Sequence, residues 1–105
     1  MEIGQIQRFC AEGQMKWSIH SAEMMHKRGI SYGDVINCLR TGEIIEDYPD
    51  DFPYPSCLVF GYAVAGTILH TVVGVNQETL VVITVYIPDT IKFESDLRTR
   101  RKRDD

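Results

Sequence analysis

The sequence predicts an α+β fold in which two or three N-terminal helices pack on one face of an antiparallel sheet of about four strands. Apolar residues recur at helical spacing over roughly the first forty residues. From residue 43 the chain instead consists of short runs rich in Val, Ile, Thr and aromatic residues, which are typical of strands. Helices that precede antiparallel strands in this way are expected to cover one side of a single sheet.

Three helices are predicted, and each has a local stop signal. The second helix lies in the stretch of residues 18–31 and stops at Gly29. The third is capped by Ser31, with Asp34 three residues further on as an approximate capping box. The apolar positions are Ile3, Ile6, Phe9 and Cys10 in the first helix and Ile19, Ala22 and Met25 in the second. The glycines that end the three helices are Gly13, Gly29 and Gly42.

Strand-like segments fill the second half of the chain. Residues 43–48 form a short strand, and the following DDFPYPS is a loop because it contains two prolines. Three further strands are predicted in CLVFGYAVAG, TILHTVVGV and TLVVITVYI. A loop at residues 76–78 joins the last two as a hairpin, and Pro88, which has no N–H to donate, ends the sheet.

Length and composition favour one domain in a cytoplasmic protein. The chain has 105 residues, of which 44% are hydrophobic, and this is enough for one core over residues 1–105. We expect neither a signal peptide nor a membrane span, because no apolar run is long enough. The three cysteines are far apart and are interpreted as reduced thiols.

Charge is unevenly distributed along the chain. The net charge of −4 argues against a general nucleic-acid binder. However, residues 43–51 hold five acids and no base, whereas residues 92–103 hold six bases and two acids. This asymmetry predicts an acidic patch and a basic, flexible tail over residues 98–105. The simpler interpretation is a solvated loop and a frayed terminus.

The polar side of the second helix is the first candidate for a functional surface. Successive residues advance about 100° around a helix axis, which gathers four polar residues opposite the apolar stripe. They are His20, Glu23, Lys27 and Arg28. His26 lies about 120° from His20, so the two histidines are poorly placed as a metal pair, and no metal site is expected. The simpler interpretation is a solvated face with a Glu23–Lys27 pair.

The predicted hairpin supplies the second candidate. A three-residue loop at residues 76–78 would place His70 opposite Thr84, with Tyr86 on the same face of the sheet. A two-residue loop would place His70 against Ile83, in the core, because a slip of one residue exchanges the two faces. The first register is preferred, since it leaves an uninterrupted apolar face. That face consists of Val81, Ile83, Val85 and Ile87. The simpler interpretation of His70 is a hydrogen-bonded sheet histidine.

The residue types in these two clusters are those that metal-free cleavage of RNA requires. A base removes the proton of the 2′-hydroxyl group, a cation holds the phosphate as charge builds on it, and an acid protonates the leaving 5′-oxygen. No Walker loop, nucleophile elbow, zinc-protease motif or dinucleotide-binding motif occurs, and no cofactor is expected. The candidate catalytic residues are His20, Arg28, His70 and Tyr86.

Four segments carry a recognisable pattern: WSIHSAEMMHKRGIS, DVINCLRTGEIIEDYPDDFPYPSCLVFG, LHTVVG and ITVYIPD. They resemble a family of small prokaryotic domains of unknown function, over nearly the whole chain from about Trp17 to Arg103. The GEIIEDYPDD and PYPS run is the most specific part. The sequence departs from the family at Met24, where Arg is usual, and at Phe93, where Trp is frequent. Its recurring polar positions match His20, Arg28, His70, Tyr86 and Asp89.

That family is grouped with the RelE/BrnT-like toxin fold, whose members are small α+β ribonucleases usually silenced by an antitoxin. The resemblance implies a toxin-like endoribonuclease that acts on mRNA, with an antitoxin protein and RNA or the ribosome as partners. The residues expected to bind RNA are Lys27, Arg98, Arg100, Arg101 and Arg103. The alternative is a non-catalytic module of the same fold that binds a protein partner through the acidic edge EDYPDD.

Overall fold

The computed structural model describes residues 1–102. Within these residues the fold is α+β, with three helices in the first part of the chain and five strands. In chain order the elements are α1 (Ile3–Ala11), β1 (Met15–Trp17), α2 (Ile19–Arg28), α3 (Tyr32–Thr41), β2 (Glu43–Tyr48), β3 (Ser56–Tyr62), β4 (Ile68–Asn76) and β5 (Thr79–Tyr86). In this part of the chain no helix is both long and apolar enough to cross a membrane.

The strands form one sheet in the order β1-β5-β4-β3-β2, so there are five strands rather than about four. β1 runs parallel to β5, whereas the other neighbouring pairs are antiparallel, and the sheet is therefore mixed. β1 was not predicted, because a strand of three residues is too short to show an alternating pattern in the sequence.

The end of α2 and the start of α3 confirm the sequence predictions. The start of α2 adds a cap that was not predicted, in which the N–H of Ser21 donates to the Ser18 side chain at 3.0 Å. Gly29 ends α2 with φ at 66°, a left-handed conformation that glycine adopts without strain. Ser31 and Asp34 form the expected capping box at the start of α3. Local chemistry therefore sets the boundaries of these helices.

The buried face of α2 differs from the predicted apolar stripe. Met25 is buried, but Ile19 is 81% exposed. Ser21 is fully buried instead, and its hydroxyl group donates to the Ser18 carbonyl at 2.8 Å, which satisfies it without solvent. Ser21 and Met25 lie four residues apart and therefore share one line along the helix. The predicted stripe of Ile19, Ala22 and Met25 has a three-residue spacing, which rotates around the helix and does not follow that line.

The hairpin between β4 and β5 has a two-residue turn and a β-bulge. Asn76 pairs with Thr79, and the register then shifts so that Val72 pairs with Thr84, leaving Ile83 unpaired. The predicted three-residue loop is therefore wrong, as is the predicted apolar face of β5. The residues that reach the core are Leu80, Val82 and Val85, because the bulge exchanges the faces part-way along the strand.

The helices cover the first face of the sheet and form the core there. α3 lies very close to β3, since a Cβ atom added at Gly61 would lie 2.1 Å from the carbonyl oxygen of Cys38. The cysteines are free thiols, with Cys38 and Cys57 buried. The fully buried members of this core are Ile6, Val35, Cys38, Leu39, Cys57, Val59, Val73, Leu80, Val82 and Val85.

The second face of the sheet is covered by residues 88–102, here called the C-terminal segment. The ring of Phe93 is 1% exposed and packs edge-on against the imidazole of His70, with ring centroids 4.6 Å apart. Phe93 also forms an isolated β-bridge with Arg100, so the segment returns on itself. This second layer was not expected from the sequence.

The acidic and basic runs of the chain meet at this layer. Arg98 pairs with Glu43. Arg100 donates two hydrogen bonds to the Glu46 carboxylate, each 3.0 Å long. Because carboxylates of β2 bind these arginines, the described part of the predicted tail lies against the sheet.

Candidate functional site

A cleft of about 400 Å³ lies between α2, the end of β5 and the C-terminal segment. Its walls combine one histidine, one tyrosine and three cationic side chains with a few apolar ones. The lining residues are His20, Met24, Arg28, Thr84, Tyr86, Ile87, Asp89, Lys92, Phe93 and Arg100. Both clusters predicted from the sequence, the polar side of α2 and the hairpin residues, therefore contribute side chains to one concave surface.

The geometry of α2 explains which of its polar residues reach the cleft. His20, Met24 and Arg28 are spaced by four residues and form one ridge along the helix. Lys27 was placed on the same side by the angular argument, but it is exposed and does not line the cleft. The ridge is thus rotated slightly relative to the predicted face.

The edge of β5 holds α2 in place. β1 pairs only with the first half of β5, and α2 contacts the second half. Ser18 donates its hydroxyl group to the Ile83 carbonyl at 2.8 Å, and Arg28 donates to the Val85 carbonyl at 3.4 Å. Nε2 of His20 lies 3.0 Å from the Thr84 hydroxyl oxygen. These contacts orient the first wall of the cleft.

Tyr86 forms part of the floor, and His70 lies beneath it. The two residues are direct cross-strand partners, and Nδ1 of His70 lies 3.1 Å from the Tyr86 hydroxyl oxygen. The expectation that His70, Thr84 and Tyr86 share one sheet face is confirmed, although the bulge rather than a longer loop produces it. His70 itself is fully buried and does not line the cleft.

Burial shifts the pKa of both His70 and Tyr86. Desolvation lowers the pKa of His70, and the Leu97 carbonyl and the Glu46 charge oppose this only in part. Desolvation likewise raises the pKa of Tyr86, with Arg100 acting in the opposite direction. At neutral pH the floor of the cleft therefore carries the protonated phenol of Tyr86, with the neutral imidazole of His70 beneath it.

The C-terminal segment forms the opposite wall. Lys92 and Arg100 add positive charge there, while Asp89 accepts the N–H groups of Ile91 and Lys92 at 2.9 and 3.4 Å. Arg100 is bound to Glu46, and its hydrogen bonds lower the pKa of that carboxyl group. The cations of the cleft that have no ion-pair partner among residues 1–102 are therefore Arg28 and Lys92, and the Asp89 carboxylate lines the same cleft.

The five residues expected to bind RNA are separated by the fold. Arg100 lines the cleft, whereas Arg98 is paired with Glu43 of β2 and Arg101 with Glu94 of the segment. Lys27 lies beside the cleft, and Arg103 lies outside the described residues. Lys92 belonged to the basic run but was not singled out, because composition alone does not distinguish it from its neighbours.

Among residues 1–102, no group of three or more His, Cys, Asp or Glu side chains is placed to hold a metal ion. The polar groups of the cleft are instead imidazole, hydroxyl, phenol, ammonium and guanidinium groups, together with the one carboxylate of Asp89, which accepts backbone N–H groups. Such a set fits an anionic ligand, and phosphate in particular, because arginine and lysine bind phosphate oxygens through charge-assisted hydrogen bonds.

Comparison with known families gives one match. A family described as a domain of unknown function, DUF4258, matches residues 17–87. The chain belongs to this family. No curated protein and no solved structure matches the chain. The match to DUF4258 includes His20, Arg28 and Tyr86 but ends before the C-terminal segment, so it covers one side of the cleft only.

Proposed function

We propose that the protein is a toxin-type endoribonuclease that cleaves RNA, principally mRNA, without using a metal ion. The observation that carries the proposal is the meeting of His20, Arg28 and Tyr86 in one cleft. These three side chains come from a helix and a strand that are distant in the chain, and the contact between His20 and Thr84 spans 64 positions. Their chemistry matches the three requirements of RNA transesterification.

In this proposal His20 and Tyr86 serve as the acid–base pair. Tyr86 takes the 2′-hydroxyl proton while its own proton passes to Nδ1 of His70, and protonated His20 gives a proton to the 5′-oxygen as the P–O5′ bond breaks and a 2′,3′-cyclic phosphate forms. Both are within reach of solvent through the cleft that they line. His70 touches no substrate in this scheme, because it is fully buried.

Arg28 and Lys92 hold the phosphate on opposite walls. Arg28 uses one nitrogen for the Val85 carbonyl, and its guanidinium group has five N–H donors in all, so donors remain for a ligand. Neither Arg28 nor Lys92 takes part in an ion pair among residues 1–102. Positive charge on both sides would stabilise the pentavalent phosphorane as negative charge develops on it.

The proposal includes a relationship to the RelE/BrnT-like toxins and control by an antitoxin. Support comes from the motif resemblance together with the α+β architecture, in which N-terminal helices precede the antiparallel β2–β5 meander. An analogy of fold carries little weight for function by itself. The cleft chemistry is therefore the main argument, and ribosome-bound mRNA is a natural second substrate to test.

The alternative function, a module that binds a partner through its acidic edge, is less well supported. Glu43 and Glu46 are bound by arginines of the same chain, and the carboxylate of Asp51 accepts the hydroxyl group of Ser56 at 2.5 Å. Because these three carboxylates already have partners, the edge offers less charge to a second protein.

The test is RNA cleavage by purified protein, with free single-stranded RNA and with mRNA on ribosomes, in the presence of a chelator. His20→Ala should reduce cleavage by about 10²–10⁴-fold, the usual contribution of a general acid or base. Arg28→Ala should reduce it by about 10²–10³-fold. Both variants should also relieve growth arrest on overexpression.

The same helix offers matched controls. His26→Ala removes a histidine and Lys27→Ala removes a cation at exposed positions that do not line the cleft, and both should retain activity. All four variants should keep the free energy of unfolding within about 1 kcal/mol. If the unmutated protein cuts no RNA, alone or with ribosomes, and causes no growth arrest, the nuclease proposal is wrong and partner binding takes its place.

A further inference from the structure

His70 makes two hydrogen bonds that join separate parts of the molecule. Its Nε2 lies 2.6 Å from the carbonyl oxygen of Leu97, in the C-terminal segment. Its Nδ1 lies 3.1 Å from the hydroxyl oxygen of Tyr86, in the cleft. Since His70 is fully buried, neither nitrogen has water as an alternative partner.

The chemistry of the partners fixes the direction of both bonds. A carbonyl oxygen can only accept, so Nε2 of His70 must carry a proton and donate it to Leu97. A neutral imidazole has one N–H, which leaves Nδ1 as an acceptor, and Tyr86 must donate its hydroxyl proton to it. The phenol proton of Tyr86 therefore points away from the cleft, and its oxygen offers lone pairs there.

The surroundings of His70 hold this arrangement in place. The Phe93 ring packs at 90° to the imidazole, and Phe60 lies on the neighbouring strand with its ring centroid 5.9 Å away. Leu97 adopts a φ of 59°, which is uncommon for a residue other than glycine and aims its carbonyl at the imidazole. The nearest charged groups are Glu46 of β2 and Arg100 of the segment, which are bound to each other.

We propose that His70 is a positioning residue that links docking of the C-terminal segment to the direction of the Tyr86 hydroxyl group, which makes Tyr86 a hydrogen-bond acceptor in the cleft. An acceptor at this point fits the ribose 2′-hydroxyl group, which RNA has and DNA lacks. This choice of RNA over DNA rests on the nuclease function proposed above, whereas the positioning role does not.

The first test uses the unmutated protein. Nitrogen-15 chemical shifts of the imidazole rings distinguish the two neutral tautomers, and the three histidines can be assigned with His20→Ala and His26→Ala. We expect His70 to be the neutral Nε2–H tautomer at pH 7. An Nδ1–H tautomer, or a doubly protonated ring, would overturn the proposal, because Tyr86 would then have to accept from His70.

The second test separates the two bonds with two conservative variants. In His70→Gln the amide nitrogen can replace Nε2 and keep the bond to Leu97. In His70→Asn the amide oxygen can replace Nδ1 and keep the bond to Tyr86. Limited trypsin digestion reports docking, because the segment contains cleavage sites after its basic residues, Lys92 and Arg98 among them.

His70→Asn should be cut in the segment about ten-fold faster than the unmutated protein, since a buried carbonyl loses its donor, while His70→Gln should be cut at a similar rate to it. His70→Gln should instead lose most of any preference for an RNA oligonucleotide over the matching DNA, about ten-fold in affinity ratio. Equal digestion of both variants and the unmutated protein would overturn the proposal.

The outcomes of these tests distinguish the two proposals. If the tautomer and the digestion results hold but no RNA binds, the positioning role stands and the nuclease function fails. If either variant does not fold, as its circular dichroism would show, the tautomer measurement on the unmutated protein still decides the positioning role.

Discussion

Replacement of Phe93 by alanine should detach the C-terminal segment while the rest of the fold persists. Phe93 has the largest of the fully buried side chains among residues 1–102, with 1% exposure. Its ring contacts His70 on one side, and the guanidinium group of Arg100 lies 4.8 Å from the ring centroid on the other. It is therefore the main apolar anchor between the segment and the second face of the sheet.

The magnitude follows from where Phe93 lies in the chain. Truncation of a phenylalanine in a core costs about 3–5 kcal/mol, partly because a cavity is left behind. At Phe93 the C-terminal segment can detach from the sheet, and no cavity is then left behind. The loss then approaches the free energy of transferring the ring to water, about 1.5–3 kcal/mol. We therefore expect a loss of about 2–3 kcal/mol.

Urea denaturation measures this loss, and its slope identifies the mechanism. An undocked segment means that less surface is exposed on unfolding, so the m value of Phe93→Ala should fall together with the midpoint. Ile91→Ala is the matched control, because Ile91 lies on the same segment and is 81% exposed, and it should change stability by less than about 0.5 kcal/mol. If Phe93→Ala is no more destabilising than Ile91→Ala, the segment is not packed on the sheet in solution.

Two further predictions concern other parts of the fold. Burial holds the pKa of His70 below its ordinary value of 6.5, so the unfolded chain binds a proton at a higher pH than the folded chain does. The free energy of unfolding should therefore decrease as pH falls below about 6.5. Thermal melts at several pH values measure this decrease, and His70→Gln should reduce the dependence on pH. Gly61→Ala should cost more than about 2 kcal/mol, because the new Cβ would meet the backbone of Cys38 at 2.1 Å. Gly4→Ala in α1 meets nothing within 4 Å and should stabilise by up to about 1 kcal/mol, which chemical denaturation of both variants would compare.

The features that the sequence predicted correctly are those that depend on neighbouring residues. The stop at Gly29 and the capping box of Ser31 and Asp34 each involve groups within a few positions of one another. Such contacts form wherever the residues occur, because the bonding groups are held close by the chain itself. This locality is why the helices were assigned correctly.

The features that the sequence did not predict depend on partners distant in the chain. The bulge at Ile83 changes which residues of β5 face the core, and no local pattern marks it. Ile19 carries an apolar side chain but starts a helix at the sheet edge, where it stays exposed. Phe93 anchors the C-terminal segment, yet it lies in a run dominated by charged residues, so composition predicted a tail instead of a packed layer.

The cleft is likewise built from parts distant in the chain, and the family match covers only some of them. The part that matches DUF4258 ends at Ile87 and supplies His20, Arg28 and Tyr86. The next residues supply the other wall with Lys92, and they cover His70, whose hydrogen bond directs the Tyr86 hydroxyl group. A chain ending at Ile87 would expose the second face of the sheet and leave the cleft with one wall. The complete cleft therefore extends beyond the family match and includes the C-terminal segment.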